Sequence, residues 1–412
     1  MEKPQFGKAS ALGYAEPHID ELLKHSIRTQ LESLLKSKVT TEQRVKLLQK
    51  SFVEAMTLAL SDTKVAHQQL VKAFESMYDQ AVQSMALADL SQEVLTRQYI
   101  SATGLVMSVH NCKHTIKDVY RIKGYARGID QAIRGKLKNN STITILYPAC
   151  GPFAPLLLPL LSYYKNSQTF DSEQIKVILV DVQPGAVMTL KQLITDLQLD
   201  DYILQIAEAD ATQFTPDVAI DLLVLEAMQH GFTKEGQLSI AKHLVQFLNI
   251  DGWMIPQSVS IRGMMVIGET EFNQQWKQAE YSHSLNVSGE AQQDRVELGE
   301  ILTINKSTLL EMQELELQDG IKVIPASQIT LPNDVDDMNE RILAIYAHID
   351  TFAQEGVGQY DSGITHPKPD TSFYVDGKPR DIEHNHFVAN SGDTVQFYYQ
   401  LTGLPGFVPV KV

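Results

Sequence analysis

Apolar residues recur along the first third of the chain with the spacing of helices. In PHIDELLKHSIRTQLESLLKS, residues 17–37, the positions Ile19, Leu22, Leu23, Ile27, Leu31, Leu34 and Leu35 fall on one stripe. TTEQRVKLLQKSFVEAMTLAL opens on Thr40 or Thr41 as a cap and repeats the stripe through Val45, Leu48, Phe52 and Met56. SDTKVAHQQLVKAFESMYDQAVQSM does so again with Val65, Leu70, Phe74, Met77 and Val82. The block from residue 17 to about 136 therefore reads as helices, with a packing, lid or dimerisation role.

The period changes near Asn139. TITILYPA, IKVILVDV, DYILQIAEAD, DLLVLEAM and GWMIPQSVSI read as strands. PLLLPLLSYY, AVMTLKQLITDL and a span from Gln237 to Leu248 read as the helices between them. Such alternation predicts a parallel sheet wrapped by helices, with ligands beyond the carboxyl ends of the strands near the switch in strand order. From Gly263 onward the rhythm becomes short, β-rich and turn-punctuated, in KVIPASQITLP, RILAIYAHIDTF, TSFYVDG, HFVANSG and TVQFYYQLTG. These predict an antiparallel barrel or sandwich, with a helical or loop segment around residues 306–318. The expected organisation is helical over 1–112, α/β over 113–262 and β-rich over 263–412.

Composition narrows the function classes. Among 412 residues, 35 Lys and Arg stand against 50 Asp and Glu, a net charge of −15. No basic stripe is available to neutralise phosphates, which argues against nucleic acid as a partner. Cys112 and Cys150 are the only cysteines, too few for a disulfide framework or a cysteine-rich metal site, and no metal is expected. The N-terminal stretch lacks the apolar core of a signal peptide, and no apolar run is long enough to span a membrane. The expectation is a soluble, cytoplasmic protein without a membrane partner.

Candidate chemistry gathers at the predicted strand ends. The first strand enters the turn ILYPACGPF, where Gly151 is flanked by Ala149 and Phe153 at places where a nucleotide-binding turn would carry small residues. Asp181 ends the next strand, 30 residues after Gly151, placed either to accept ribose hydroxyls or to cap the turn Val182–Pro184. Asp210 ends the third strand, where it can accept an amino group of adenine or cap the segment ATQF. Glu226 ends the apolar strand DLLVL, and Glu235 lies nine residues on, across a loop containing Gly231. Two carboxylates facing one pocket would bind a guanidinium or ammonium, and one could accept a proton. Glu235 can equally start the following helix. Upstream, Asp118, Arg121 and Tyr125 share a helix face, with Arg121 suited to clamp a ligand carboxylate.

Together these residues resemble the class I S-adenosylmethionine-dependent methyltransferases, and in particular the protein arginine methyltransferases. DVYRIKGY, residues 118–125, matches the family's Asp-x-x-Arg-x-x-x-Tyr pattern; YPACGPF falls on its turn, and Glu226 and Glu235 reproduce its two glutamates. LNIDGWMIPQS, residues 248–258, resembles the family's turn after the following helix. The resemblance covers about residues 113–262. It implies a Rossmann-like methyltransferase core with a C-terminal β-barrel- or β-sandwich-like domain, and S-adenosyl-L-methionine as cofactor. It places that cofactor against Arg121, Tyr147, Ala149, Gly151, Asp181, Val182, Asp210 (or Glu208), Ala211 and Glu226, with Glu226 and Glu235 holding the acceptor. Departures are also visible. Tyr147 replaces the family's first-strand acid, its aromatic-rich substrate helix has no match before Asp118, and no His-Trp pair is present. ITHPKPDTSF, with His366 as a stand-in, comes nearest to the family's Thr-His-Trp loop.

The implied acceptor is a protein arginine or a free arginine-like small molecule, and a second copy of the chain is an expected partner. One alternative moves the methyl group to oxygen or carbon of a small natural-product-like molecule, with His230, His283 or His366 as base. Another is a non-catalytic scaffold retaining the fold.

Overall fold

The structure, a computed structural model, describes residue 24 and residues 26–32, 40–273, 294–377 and 385–412. The chain divides into two compact units, residues 1–47 and 48–412. In the first, residues 26–32 are helical; the rest of the stripe expected over 17–37 lies outside the described residues, as does His283. Among the described residues no helix is long and apolar enough to cross a membrane.

Five strands form the parallel sheet: β1 (Ile143–Pro148), β2 (Ile175–Asp181), β3 (Ile203–Glu208), β4 (Ile220–Val224) and β5 (Leu248–Ile255). Their spatial order is β3-β2-β1-β4-β5, every pair parallel. Strand order reverses at β1, so the crevice between β1 and β4 is where this topology leaves room for a ligand. Leu146, Leu179 and Leu223 have no exposed surface, as expected where helices cover both faces of a parallel sheet. The fold is Rossmann-like.

Helices α1 (Thr41–Ala59), α2 (His67–Met85), α3 (Val119–Lys136), α4 (Leu158–Ser167), α5 (Pro184–Leu197) and α6 (Gln237–Leu244) surround it. The apolar stripes expected of α1 and α2 are buried through Leu48, Phe52 and Met56 and through Leu70, Phe74 and Met77. Two boundaries differ from the sequence reading. The sixth helix is α-helical to Leu244 and continues as a 3-10 turn through Phe247, stopping there because Leu248 already pairs with Ile220 as a strand residue. Residues 97–107 are not helical: Tyr99–Ile100 and Leu105–Val106 form a small antiparallel hairpin. Its polar stretch SATG has no helical stripe to bury and turns back at Gly104.

After β5 the chain enters the C-terminal sheets through β6 (Ser258–Ile267), so residue 262 lies inside a strand. β6 pairs antiparallel with β7 (Val296–Asn305) and β9 (Arg341–Phe352) in a five-stranded sheet. A four-stranded sheet contains β8 (Lys322–Thr330), β10 (Thr394–Gln400) and β11 (Gly406–Lys411). Segment 306–318 begins with the short helix Lys306–Glu311.

Two glycines seat α3 on the C-terminal sheets. A Cβ at Gly124 would lie 2.3 Å from the carbonyl oxygen of Gly356, and one at Gly128 would lie 2.4 Å from Thr351 Oγ1. The Thr351 hydroxyl donates to the Gly124 carbonyl at 2.9 Å. At Gly124 the nearest atoms are backbone and leave nothing flexible to yield, whereas at Gly128 they belong to the Thr351 side chain. Gly124→Ala is therefore expected to lower stability by about 1–3 kcal/mol, read as a lower urea midpoint with an unchanged m-value.

Candidate functional site

Two adjoining cavities open at the carboxyl ends of the parallel strands, of about 230 and 260 Å³. Ala149, Gly151, Pro152, Met107, Cys112 and Glu235 border both. Between them runs the turn that follows β1. It takes the left-handed conformation at three residues, Ala149 (φ 47°), Gly151 (φ 65°) and Ala154 (φ 39°). Alanine is the smallest residue that pays the Cβ penalty there. The turn thus has glycine-like geometry with a single glycine. Phe153 is buried and forms part of the second cavity's wall. Tyr147 is buried and lines the same cavity, with its hydroxyl pushed well up by burial.

The first cavity has carboxylates at its edge and an apolar floor. Asp181 accepts the Gly151 amide at 2.8 Å through Oδ2 and the Gln183 amide at 2.9 Å through Oδ1. It braces the β1 turn and the start of α5 while lining the cavity, although the helix's own N-cap is Gln183. Burial pushes its carboxyl up to about 6, against backbone amides that favour the ionised form. Asp210 Oδ1 accepts both the amide and the hydroxyl of Thr212, at 2.8 and 2.7 Å, and does not open a helix. Val182, Ala186, Ala209, Ala211 and Ile240 supply the apolar surface. Glu208 is exposed and is not among the lining residues.

The roof of this cavity is the hairpin the sequence reading missed. Tyr99, Ser101, Thr103, Gly104, Leu105, Val106 and Met107 line it. The Gln183 side-chain amide donates to the Arg97 carbonyl at 2.8 Å and to the Met107 carbonyl at 2.9 Å, closing the hairpin base on the sheet. The available signal was Gly104 in a polar stretch without helical periodicity.

The second cavity carries the acidic pair. Glu226 is buried; its Oε2 accepts Arg121 Nη1 at 3.1 Å. Arg121 also gives Nη2 to Asp118 Oδ2 at 2.9 Å and Nε to Ser362 Oγ at 3.2 Å, while the Ser362 hydroxyl donates to Asp118 Oδ2 at 2.6 Å. Asp118 itself is the N-cap of α3. Burial alone would lower the Arg121 pKa, but Glu226 and Asp118 raise it and the guanidinium stays charged. Arg121 borders the second cavity with these bonds already made. Ser362, from the C-terminal half, was not singled out in the sequence; nothing in its local pattern announces a partner 244 positions away. Tyr125 is buried on the same helix face.

Glu235 lies where the two cavities meet. It does not start α6, whose N-cap is Gly236 and whose first turn has no acid. Burial and the neighbouring Glu226 push its carboxyl up to about 7. Burial likewise raises Glu226, with Arg121 acting against the shift. His230 borders the second cavity, whereas buried His366 packs behind it with ring centroids 5.9 Å apart and is not a lining residue. Burial lowers both, His366 to about 4. Among the described residues no cluster of three or more His, Cys, Asp or Glu could hold a metal.

No protein-family model and no curated protein matches the chain. Solved structures do. One is the PRMT1 enzyme–prozyme heterotetrameric complex of Trypanosoma brucei with AdoHcy, at 12% identity and TM-score 0.39, covering 74% of this chain and 98% of that one. Another is protein arginine methyltransferase 10 of Arabidopsis thaliana in a uniquely open conformation, at 11% identity and TM-score 0.43, covering 70% and 87%.

The raised carboxyls have a stability consequence. A carboxyl whose folded pKa lies above its unfolded value favours the fold at low pH, and the benefit is lost as pH rises through the folded pKa. For Glu235 that window runs from its ordinary 4.5 to about 7. Glu235→Gln should therefore raise the melting temperature of the ligand-free protein, by a margin that grows from pH 5 to pH 8 and corresponds to about 1–3 kcal/mol at the upper end.

Proposed function

We propose that this protein is an S-adenosylmethionine-dependent methyltransferase that delivers the methyl group to a guanidinium or amine nitrogen held by Glu226 and Glu235. The observation that carries the reading is the meeting of two cavities at one turn. One is edged by carboxylates at the ends of β2 and β3, and the other by a pair of glutamates beyond β4. The first suits a nucleoside: Asp181 and Asp210 present acceptors for hydroxyl and amino groups above an apolar floor. The residues present fit this cofactor, which when bound supplies an electrophilic methyl on a sulfonium and leaves as a neutral thioether.

The chain's own residues then position and neutralise. Arg121 opposes the upward push of burial on Glu226 and orients it, so that one carboxylate is fixed before any acceptor arrives. Glu235 has no arginine bonded to it among the described residues and is ready to change protonation state near neutrality. A cationic acceptor favours its ionised form, and the proton released when nitrogen takes the methyl group passes to that carboxylate. The apolar wall of Phe153, Ile116 and Ile364 excludes water from the acceptor. The acceptor is a small molecule or a peptide side chain. A histidine base for oxygen or carbon transfer is the weaker reading, because burial lowers His230 and His366.

Titration calorimetry with S-adenosylmethionine and S-adenosylhomocysteine should give micromolar binding, and no heat with either would leave the scaffold reading. Glu226→Gln should keep cofactor affinity within a few-fold and lower turnover by at least about a hundred-fold; undiminished turnover sinks the acceptor-holding role. With a cationic acceptor, kcat/KM should fall as pH drops below about 7, because protonated Glu235 no longer attracts it.

A further inference from the structure

The loop carrying Glu235 is held in an unfavourable shape. Gly231 (φ 66°), Phe232 (φ 55°) and Lys234 (φ 69°) are all left-handed, and Phe232 and Lys234 carry side chains that disfavour this region. Such a loop persists only where its surroundings over-determine it, and here the restraints can be named. Within the loop, Gln229 and Thr233 form a single antiparallel bridge. From the C-terminal half, the Pro405 carbonyl accepts the Lys234 amide at 2.8 Å. From the hairpin, the Leu105 amide donates to the Lys234 carbonyl at 2.7 Å, and Gly104 packs so close that a Cβ there would lie 2.7 Å from the Gly236 nitrogen. The hairpin in turn accepts the Gly403 amide on the Ala102 carbonyl at 2.8 Å.

The hairpin's base depends on one side chain. Gln183 is buried, and its two amide protons serve carbonyls ten residues apart, those of Arg97 and Met107. Its own backbone amide is bonded to Asp181. A continuous chain of contacts therefore runs from the carboxylate edge of the first cavity, through Gln183 and the hairpin, to the peptide bond preceding Glu235.

We propose that Gln183 is a positioning residue: by stapling the hairpin 97–107 to the sheet, it fixes the loop that presents Glu235, so that the roof of the nucleoside cavity and the acceptor carboxylate are set as one unit. The roles given to the two cavities rest on the methyltransferase reading; the mechanical link does not. Occupancy of the first cavity, pressing against the hairpin from below, tightens the Glu235 loop before the acceptor binds.

The test is amide hydrogen exchange on the full-length chain, comparing wild type with Gln183→Glu. That change keeps the shape but replaces the two-proton donor by a carboxylate facing two carbonyls. Exchange at Leu105 and Gly403, and at Thr233, Lys234 and Glu235, should speed together by ten-fold or more, while the core strands β1 and β4 stay protected. Gln183→Met serves where Gln183→Glu fails to fold, and should give the same paired response. Faster exchange at Leu105 with residues 233–235 unchanged overturns the proposal. A second arm adds S-adenosylhomocysteine: slower exchange in both segments of wild type, lost in the variant, supports the coupling. Absence of any binding in wild type counts against the cofactor reading alone and leaves the exchange comparison to decide the link.

Discussion

Everything at the site turns on keeping one largely buried guanidinium charged. Arg121 is bonded to Asp118, Glu226 and Ser362, which come from the start of α3, the loop after β4 and the C-terminal half. A largely buried arginine is tolerable only with its donors satisfied, so each of these elements must stand where it stands for any of them to do so. Two carboxylates against one guanidinium leave the cluster net negative. Glu235, at the same cavity, adds a third acid whose protonation near neutrality relieves that excess. The cluster thus favours one further positive charge beside Glu235, whose carboxyl is raised first by burial and then by Glu226.

Strain is concentrated at the same place. Ala149 and Ala154 flank the β1 turn in left-handed conformations, and Phe232 and Lys234 do so before Glu235. Each costs on the order of 1 kcal/mol or more, and each lies in a segment pinned by hydrogen bonds to a neighbouring element. The Gly151 amide is tied to Asp181 and the Lys234 peptide to Leu105 and Pro405. Rigid support around a strained loop is what a preorganised binding site requires.

The parallel sheet was legible because its strands are short β-branched runs separated by helical periods, as in IKVILVDV followed by AVMTLKQLITDL. Acids at the strand ends and in the loop after β4 were legible by position: Asp181 borders the first cavity, Glu226 the second and Glu235 both. Their local duties were not. Asp118 caps a helix and Asp210 closes an Asx turn, geometries that spacing alone cannot distinguish from ligand contact. The hairpin was mistaken for helix because four of its residues are strand and the rest is turn, too little for a period to register. Ser362 and Gln183 were invisible for another reason: both act through tertiary contacts, and nothing in their own neighbourhoods marks a partner.

The glycine seam between α3 and the C-terminal sheets bears on how this chain can change over evolutionary time. Arg121 stands on the first turn of the helix whose Gly124 and Gly128 lie against Gly356 and Thr351. A recombination event that exchanged the C-terminal half for a foreign one would leave a grooveless partner facing two bare stretches of helix backbone, and the guanidinium without Ser362. The two halves are therefore fitted to one another residue by residue.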